Sequence, residues 1–543
     1  MKIIYHPRPD ASRKRFRSLD GEWLCEVSKS NAEHTRYING DLIDRATVPN
    51  IIYLHSDNET PDDKLGVWYK REFWLEENDL CGQILLNFLG VSESANIYIN
   101  DIPIATHTLA QTPFSTDITS VVHAGSNKLV VNAFRNRDGT LNPNYRFLGI
   151  WRSVWLEFTN GAYLTQLRTN VRNDGASFLM SGATVGTSGS LIIDVSSDGR
   201  RISTQKYTGI SGKFTLSLPL KEPVMMWSPQ MPRIYDLKYK LIDKDGRVLD
   251  EIDSYFAFRP LQFDKGAIYV GGRKTPIRAI SINEKIFDDN TGHLETRAKK
   301  MFALTISMGF NAIVVPISSL SPIARYCADK LGIMIFENGM WHGLNLNMPG
   351  VLKDIANQIS GIAAFEACSP SVIARDTLGE FHGSEVYTKY LYDIVKFAAP
   401  NTAVISGGGL IQTCDIAEYR ADCYDPNGVL NLLLGDYHTK IGRDKKHASN
   451  KIVQQLPKNI ENIPKLLTHF NCGIPPHRNI KGEYDFIKRY AGVLRAVSSA
   501  GAAGFIFDTL IDDANFEIGL FDAELTPKLS LSCAEAIKRL NKS

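Results

Sequence analysis

The 543-residue chain contains no CxxC pair, although it carries eight cysteines, at positions 25, 81, 327, 368, 414, 423, 472 and 533. Thiols scattered so widely along a chain with no leader read as reduced cysteines, not as a disulfide frame. Charge of one sign does not prevail either. Lys and Arg number 61 against 59 Asp and Glu, a formal net charge of +2, which gives no reason to expect a polyanionic partner. The basic clusters Arg13–Lys14–Arg15–Arg17 and Arg443–Lys445–Lys446 lack the interleaved aromatics of a single-strand binder and read as solvated surface. Long apolar runs are missing as well. The opening MKIIYHPRPDASRKRF has no apolar h-region, and the longest small and apolar run, Ala496–Phe507, is too short to cross a bilayer. The expectation is a soluble cytoplasmic protein with no nucleic-acid or membrane partner, built from two to four domains.

Several catalytic motifs are also lacking. Gly407–Gly408–Gly409 has no Lys-Ser/Thr behind it, so it is not a phosphate loop. There is no nucleophile elbow and no Ser-His-Asp arrangement. His469-x2-Cys472-x4-His477, with His438 nearby, offers soft ligands, but loop His and Cys coincide more often by chance than by design. No metal and no cofactor are expected.

What the sequence does contain is a change of period. Up to about residue 160, short aromatic and β-branched runs such as REFWL, ILLNFLG, NIYIN and NKLVVNAF alternate with Gly, Asn, Asp and Pro. SLIIDVSS, GKFTLSLPL and LKYKLID continue at sandwich-like spacing to about residue 262. From Ile268 onward, short apolar strands alternate with amphipathic helices. The strand candidates are IRAISI, NAIVVP, IMIFEN, VIARDTLGE, TAVISGG, NLLLGDY, KLLTHF and GFIFDT. Eight such units in this length predict a (β/α)8 barrel, with its chemistry at the C-terminal strand ends. The predicted division is 1–162, 163–262 and 263–543.

Specific stretches give this layout a family likeness. SLDGEW (Ser18–Trp23), GVWYKREFWL (Gly66–Leu75), GIWRSVWLE (Gly149–Glu157), WSPQMPRIYDL (Trp227–Leu237), YFAFRP (Tyr255–Pro260), RAISINE (Arg278–Glu284), SPSVIARDTLGE (Ser369–Glu380) and GLFDAELTPK (Gly519–Lys528) together resemble glycoside hydrolase family 2. That is the β-galactosidase, β-glucuronidase and β-mannosidase group. The resemblance implies a jelly-roll sugar-binding domain, an immunoglobulin-like sandwich and a TIM barrel. It implies retaining hydrolysis of β-linked glycosides by two carboxylates roughly 5 Å apart, and possible homo-oligomers.

Carried over residue by residue, the resemblance places Glu380 at the acid/base. At the nucleophile it places His469, within Thr468–His469–Phe470–Asn471, where the family has a glutamate. An imidazole carries no resting negative charge and cannot form the glycosyl ester of a retaining mechanism. Gly379 replaces a sugar-holding asparagine, Ser281 and Asn283 replace an asparagine and a histidine, and Phe507–Asp508 replace a tryptophan and an asparagine. The further strand-end candidates for sugar contact are Glu337, Asp436, Tyr437, His438, Phe507 and Asp508. Two outcomes follow from the lost carboxylate: a glycosidase with an altered second group, or a catalytically inactive carbohydrate-binding or scaffolding protein on the same fold.

Overall fold

A computed structural model describes residues 6–28, 34–50, 52–53, 66–92, 94–109, 111–134, 147–171, 177–220, 224–282, 294–339, 350–377, 385–405, 413–421, 425–434, 462–474, 480–512 and 518–542. The first region is two antiparallel sheets face to face. A six-stranded sheet runs in the order Asp44–Val48, Gly21–Ser28, Gly66–Leu75, Gly125–Phe134, Ser94–Ile99, Ile102–His107. A four-stranded sheet runs Phe16–Ser18, Val154–Phe158, Ile84–Phe88, Phe114–Asp117. Alternating side chains of the two, among them Trp23, Tyr69, Phe88, Val131 and Leu156, fill the space between them.

A second pair of antiparallel sheets follows. Three strands (Tyr163–Val171, Ser177–Val185, Lys213–Pro219) face four (Arg200–Ile210, Gly189–Ser197, Tyr235–Ile242, Val248–Phe256). Their shared core includes Phe178, Ile193, Leu237, Tyr239 and Phe256. Arg13 pins the two regions together. Its guanidinium donates to both Asp250 oxygens at 2.9 Å and pairs with Glu157, which His6 Nε2 also meets at 2.9 Å. The Arg13 charge, assisted by His6, outweighs burial and holds the Glu157 carboxyl down at about 2.

The remainder is a parallel sheet of eight strands: β1 (Ile277–Ser281), β2 (Ala312–Pro316), β3 (Met334–Asn338), β4 (Val372–Asp376), β5 (Ala403–Ile405), β6 (Ala417–Arg420), β7 (Lys465–Phe470) and β8 (Gly504–Phe507). Their order is β5-β4-β3-β2-β1-β8-β7-β6, and a lone parallel bridge between Ile405 and Ile416 joins the two outer strands. The sheet is thus all but closed into a barrel. Alternate residues, among them Ile277, Ala279, Ala312, Met334, Phe336, Leu466 and Ile506, fill its interior. Their neighbours Ile280, Ile313, Ile335, Leu467 and Phe505 face the surrounding helices.

Those helices are α1 (Leu294–Ser307), α2 (Pro322–Leu331), α3 (Val351–Phe365), α4 (Glu385–Ala398), α5 (Pro426–Leu434), α6 (Ile480–Ser499) and α7 (Leu531–Lys542). Their limits follow local chemistry. Before α2, the Ser321 hydroxyl accepts from the Ala324 amide and Pro322 opens the helix; after it, Gly332 adopts φ +75°. A hairpin over 261–274 precedes β1 and sends Ile268 and Val270 into the interior cluster, closing the N-terminal end. No helix among the described residues is long and apolar enough to cross a membrane.

One predicted strand is wrong. Asn431–Leu434 of NLLLGDY belongs to α5, and the sixth strand is Ala417–Arg420. The physical reason is a start signal: the Asp425 carboxylate accepts from the Gly428 amide and Pro426 stands at the first helical position. Val429 and Leu433, four apart, are then buried on one face. Asp436, Tyr437 and His438, the rest of that predicted strand end, lie outside the described residues.

Candidate active site at the mouth of the barrel

Strand β7 does not alternate regularly. Leu466 faces the interior, whereas Leu467 and Phe470 both face the helices. Against β8, Leu467 pairs with Phe505 and Phe470 with Phe507. Three steps on one strand oppose two on the other, which is a β-bulge. The extra residue lets Thr468 and His469 both turn from the helices toward the mouth. His469 absorbs the irregularity at φ +56°, a left-handed conformation that costs a non-glycine residue about 1–2 kcal/mol.

The imidazole stands between two carboxylates. Nδ1 lies 3.2 Å from Asp508 Oδ2, just past the end of β8, and Nε2 lies 3.7 Å from Glu418 Oε1 on β6. Each carboxylate is fixed from behind. Ser281, the last residue of β1, donates its hydroxyl to Asp508 Oδ1 at 2.7 Å. Thr468 donates to Glu418 Oε1 at 2.7 Å. Asn471 Nδ2 donates to the Asp508 carbonyl, and the Thr509 hydroxyl and Leu510 amide both donate to the Ser281 carbonyl. The side chains remain reachable by solvent: 29% exposed for His469, 24% for Asp508 and 17% for Glu418.

Burial by itself pulls the His469 pKa down. The hydrogen bond to Asp508 and its negative charge, with Glu418 adding, more than offset that, and Arg420 at the end of β6 opposes them. The net direction is upward from 6.5. The side chain at this strand end is thus biased toward a cation, the opposite of a nucleophilic carboxylate. Chemically, the array can hold a proton on a ring poised between two acids, and it offers hydroxyl, carboxylate and guanidinium groups for a polar ligand.

The other strand-end candidates are distributed differently. Asp508 joins His469 directly. Glu337 does not: it lies on the helix side of β3, 2% exposed, where Arg375 Nε donates to it at 2.6 Å and the Ser318 amide lies 3.4 Å away. Phe507 is fully buried among Phe310, Phe470, Phe486 and Tyr490 on the helix side of β8, and so presents no face to the mouth. Glu380, Asp436, Tyr437 and His438 lie outside the described residues; the last described residue before Glu380 is Thr377, just after β4. Of the soft-ligand group, His438 and His477 also lie outside, and among the described residues no three His, Cys, Asp or Glu gather as metal ligands. Glu418 escaped the sequence reading altogether. The signal that would have found it is the Asp425–Pro426 helix start, which displaces the sixth strand upstream onto AEYR.

Comparison with known proteins bears on which family this architecture belongs to. Residues 16–159 match the profile described as "Glycosyl hydrolases family 2, sugar binding domain", and residues 164–259 match "Glycosyl hydrolases family 2". Residues 16–159 and 164–259 are thus glycoside hydrolase family 2 domains. Among curated relatives, the β-galactosidase large subunit of Leuconostoc lactis is 27% identical over 263 residues, 45% of this chain and 41% of the relative. The chain spans about two fifths of the length of the curated relatives it matches. Among solved structures, a Bacteroides uniformis β-glucuronidase superposes with a TM-score of 0.76 at 18% identity, over 95% of this chain and 68% of that one. A β-galacturonidase from Eisenbergiella tayi, bound to galacturonate, gives 0.76 at 19% identity over 100% and 99%. At such identities the structural likeness establishes the fold.

Proposed function

We propose that this family 2 chain acts on or recognises β-linked glycosides of the β-galactoside, β-glucuronide or β-mannoside type at the mouth of the barrel. In this reading residues 1–162 form a jelly-roll sugar-binding domain, 163–262 an immunoglobulin-like sandwich, and 263–543 a (β/α)8 barrel that carries the site. Glu380 is the acid/base, His469 stands in the nucleophile's place, and the protein works in the cytoplasm. The observation that carries the proposal is the Asp508–His469–Glu418 array, a solvent-reachable set of polar groups at the C-terminal strand ends, where barrels of this type place their chemistry. The names of the relatives, a β-galactosidase and a β-glucuronidase among them, support a sugar ligand.

With an imidazole held toward its charged form, a covalent glycosyl intermediate has no carboxylate at position 469 to form on. Hydrolysis would then run by single displacement, with water activated by a flanking carboxylate such as Asp508 and the leaving group protonated by Glu380. The His469–Asp508 contact also favours a second reading, a glycoside-binding protein with no hydrolytic step. One experiment separates them. Aryl β-galactosides, β-glucuronides and β-mannosides are assayed with the native chain, Glu380→Gln and His469→Glu. Turnover lost in Glu380→Gln supports the enzyme. No turnover, with thermal stabilisation by the free sugars, supports the binder, and hydrolysis gained in His469→Glu would show that the pocket still seats a sugar. Neither turnover nor stabilisation in any arm rejects both readings.

A further inference from the structure

A cleft of about 500 Å3 opens where the three regions of the molecule meet, within the range of about 300–1,000 Å3 that holds small ligands. One wall is the outer face of the four-stranded sheet. Leu86 and Leu156 face the core of the first region, so Leu85, Asn87 and Trp155 turn toward the cleft. The strand Tyr163–Val171 forms the second wall, and the last turns of α3, with Gly361 and Phe365, form the third. Barrel helices run back from the mouth, so the end of α3 lies at the opposite end of the barrel from His469. The cleft therefore does not extend the site at the mouth.

Its second wall is shaped by the same device as β7. Thr165 pairs with Ala183 and Arg168 with Ser181, three steps against two, and Gln166 takes φ +53°. Leu164 and Leu167 both pack into the sandwich core, which leaves Thr165 and Gln166 together on the side of the cleft. Polar ends gather there without partners. Asn87 is 8% exposed, and its Nδ2 donates to the Leu85 carbonyl at 3.1 Å. Its Oδ1, the Tyr163 hydroxyl, the Gln166 amide and the Arg168 guanidinium have no hydrogen-bond partner among the described residues. The charges of the lining balance. Arg8 pairs with Asp10 and Arg13 with Glu157, which leaves Arg168 and Asp117, one of each sign. Phe114, partly exposed and stacked on Phe88 at 4.9 Å, adds a flat apolar face.

We propose that this cleft is a second, non-catalytic carbohydrate site that holds a neutral oligosaccharide. Unpartnered donors and acceptors side by side match hydroxyl groups, each of which both gives and accepts a hydrogen bond. The aromatic face suits the C–H side of a sugar ring. A lining with no net charge gives no hold on a phosphate or a carboxylate.

Titration calorimetry of the full chain with three neutral probes, the β-1,4-linked tetrasaccharides of galactose, mannose and glucose, tests this. At least one should bind. Gln166→Ala and Arg168→Ala, both replacing exposed side chains, should together weaken that binding at least about tenfold. His469→Ala should retain it, because the mouth lies at the other end of the barrel. That arm keeps the two sites apart: if the mouth takes no sugar, the native chain and His469→Ala bind alike, and only the cleft variant loses the heat. Silence from all three probes at about 1 mM overturns the proposal. So does binding that survives the Gln166→Ala and Arg168→Ala pair, or that disappears in His469→Ala.

Discussion

The barrel holds two clusters of charge that are built from the same materials and placed on opposite sides of its wall. At the mouth, Glu418, His469 and Asp508 sit on the inner face, between about a sixth and a third exposed. Behind β3 and β4, Glu337, Arg375, Glu366 and Arg325 sit on the helix side with almost no exposure. There, Arg375 bridges Glu337 at 2.6 Å and Glu366, while Arg325 donates to Glu366 at 2.8 Å. Burial, with the neighbouring Glu366 charge adding and Arg375 opposing, pushes the Glu337 carboxyl up to about 7. A titratable group perturbed toward neutrality invites a catalytic reading, yet no substrate can reach this one. The mouth cluster has the milder perturbation and the access. Access decides which of two perturbed clusters can meet a ligand.

The sharpest way to break this contrast is to remove one member of the buried set. Arg375→Met leaves Glu337 and Glu366 facing each other without their shared cation, and should cost about 3–5 kcal/mol of stability. The shift in urea midpoint measures it, and a loss under ~1 kcal/mol would make the buried cluster no different from a surface pair. Replacing Arg375, Glu337 and Glu366 together by apolar residues should recover much of that loss.

A second test uses the pH dependence of the same cluster. Folded Glu337 keeps its proton up to about pH 7, whereas an unfolded glutamate loses it near 4.5. Between those values the folded chain binds more protons, so this group makes stability fall as pH rises. Glu337→Gln removes the effect. Its stability relative to the native chain should therefore improve from about pH 5 and level off above about pH 7, read from melting temperatures across that range. A constant offset would show that the proton is not held there.

Much of the fold was legible in the chain, and each miss has its own physical cause. Period-2 runs and the later strand–helix alternation predicted the sheets and the barrel because burial imposes those periods directly. Which face of a strand each residue occupies is harder, since strands buried on both sides are apolar throughout. In Met334–Asn338 the even residues Met334 and Phe336 turn inward; Glu337 therefore faces the helices, although it stands at a strand end. Phe507 follows the same parity in Gly504–Phe507, with Ile506 inward. The sixth strand, Ala417–Arg420, is only four residues long, too short to outweigh the apolar run Leu432–Leu434, and Glu418 was lost with it. His469 was legible only through resemblance. Its two acidic neighbours, Glu418 and Asp508, lie 51 and 39 residues away along the chain, a distance that no local pattern spans.

At the mouth the expected effects are smaller and are better read at the imidazole than in stability. Asp508→Asn removes the closest opposing charge and should lower the His469 pKa, observed as a titration midpoint moved to lower pH in histidine NMR spectra. The raised pKa contributes stability that is fully present below pH 6.5 and is lost as pH rises through the folded value. The variant should give up that share at low pH, by no more than about 1 kcal/mol for groups so exposed.

Glu418→Gln should move the same titration in the same direction but less, because Glu418 faces Nε2 at 3.7 Å whereas Asp508 meets Nδ1 at 3.2 Å with a hydrogen bond. The ordering matters more than either size. If Glu418→Gln has the larger effect, the proton resides chiefly on Nε2 and is shared with β6, and Asp508 is left free to accept from a ligand. With the expected ordering, Nδ1 is committed to Asp508 and Nε2 is the ring nitrogen that turns toward whatever occupies the mouth. The rank of these two variants therefore fixes which edge of His469 a sugar would meet.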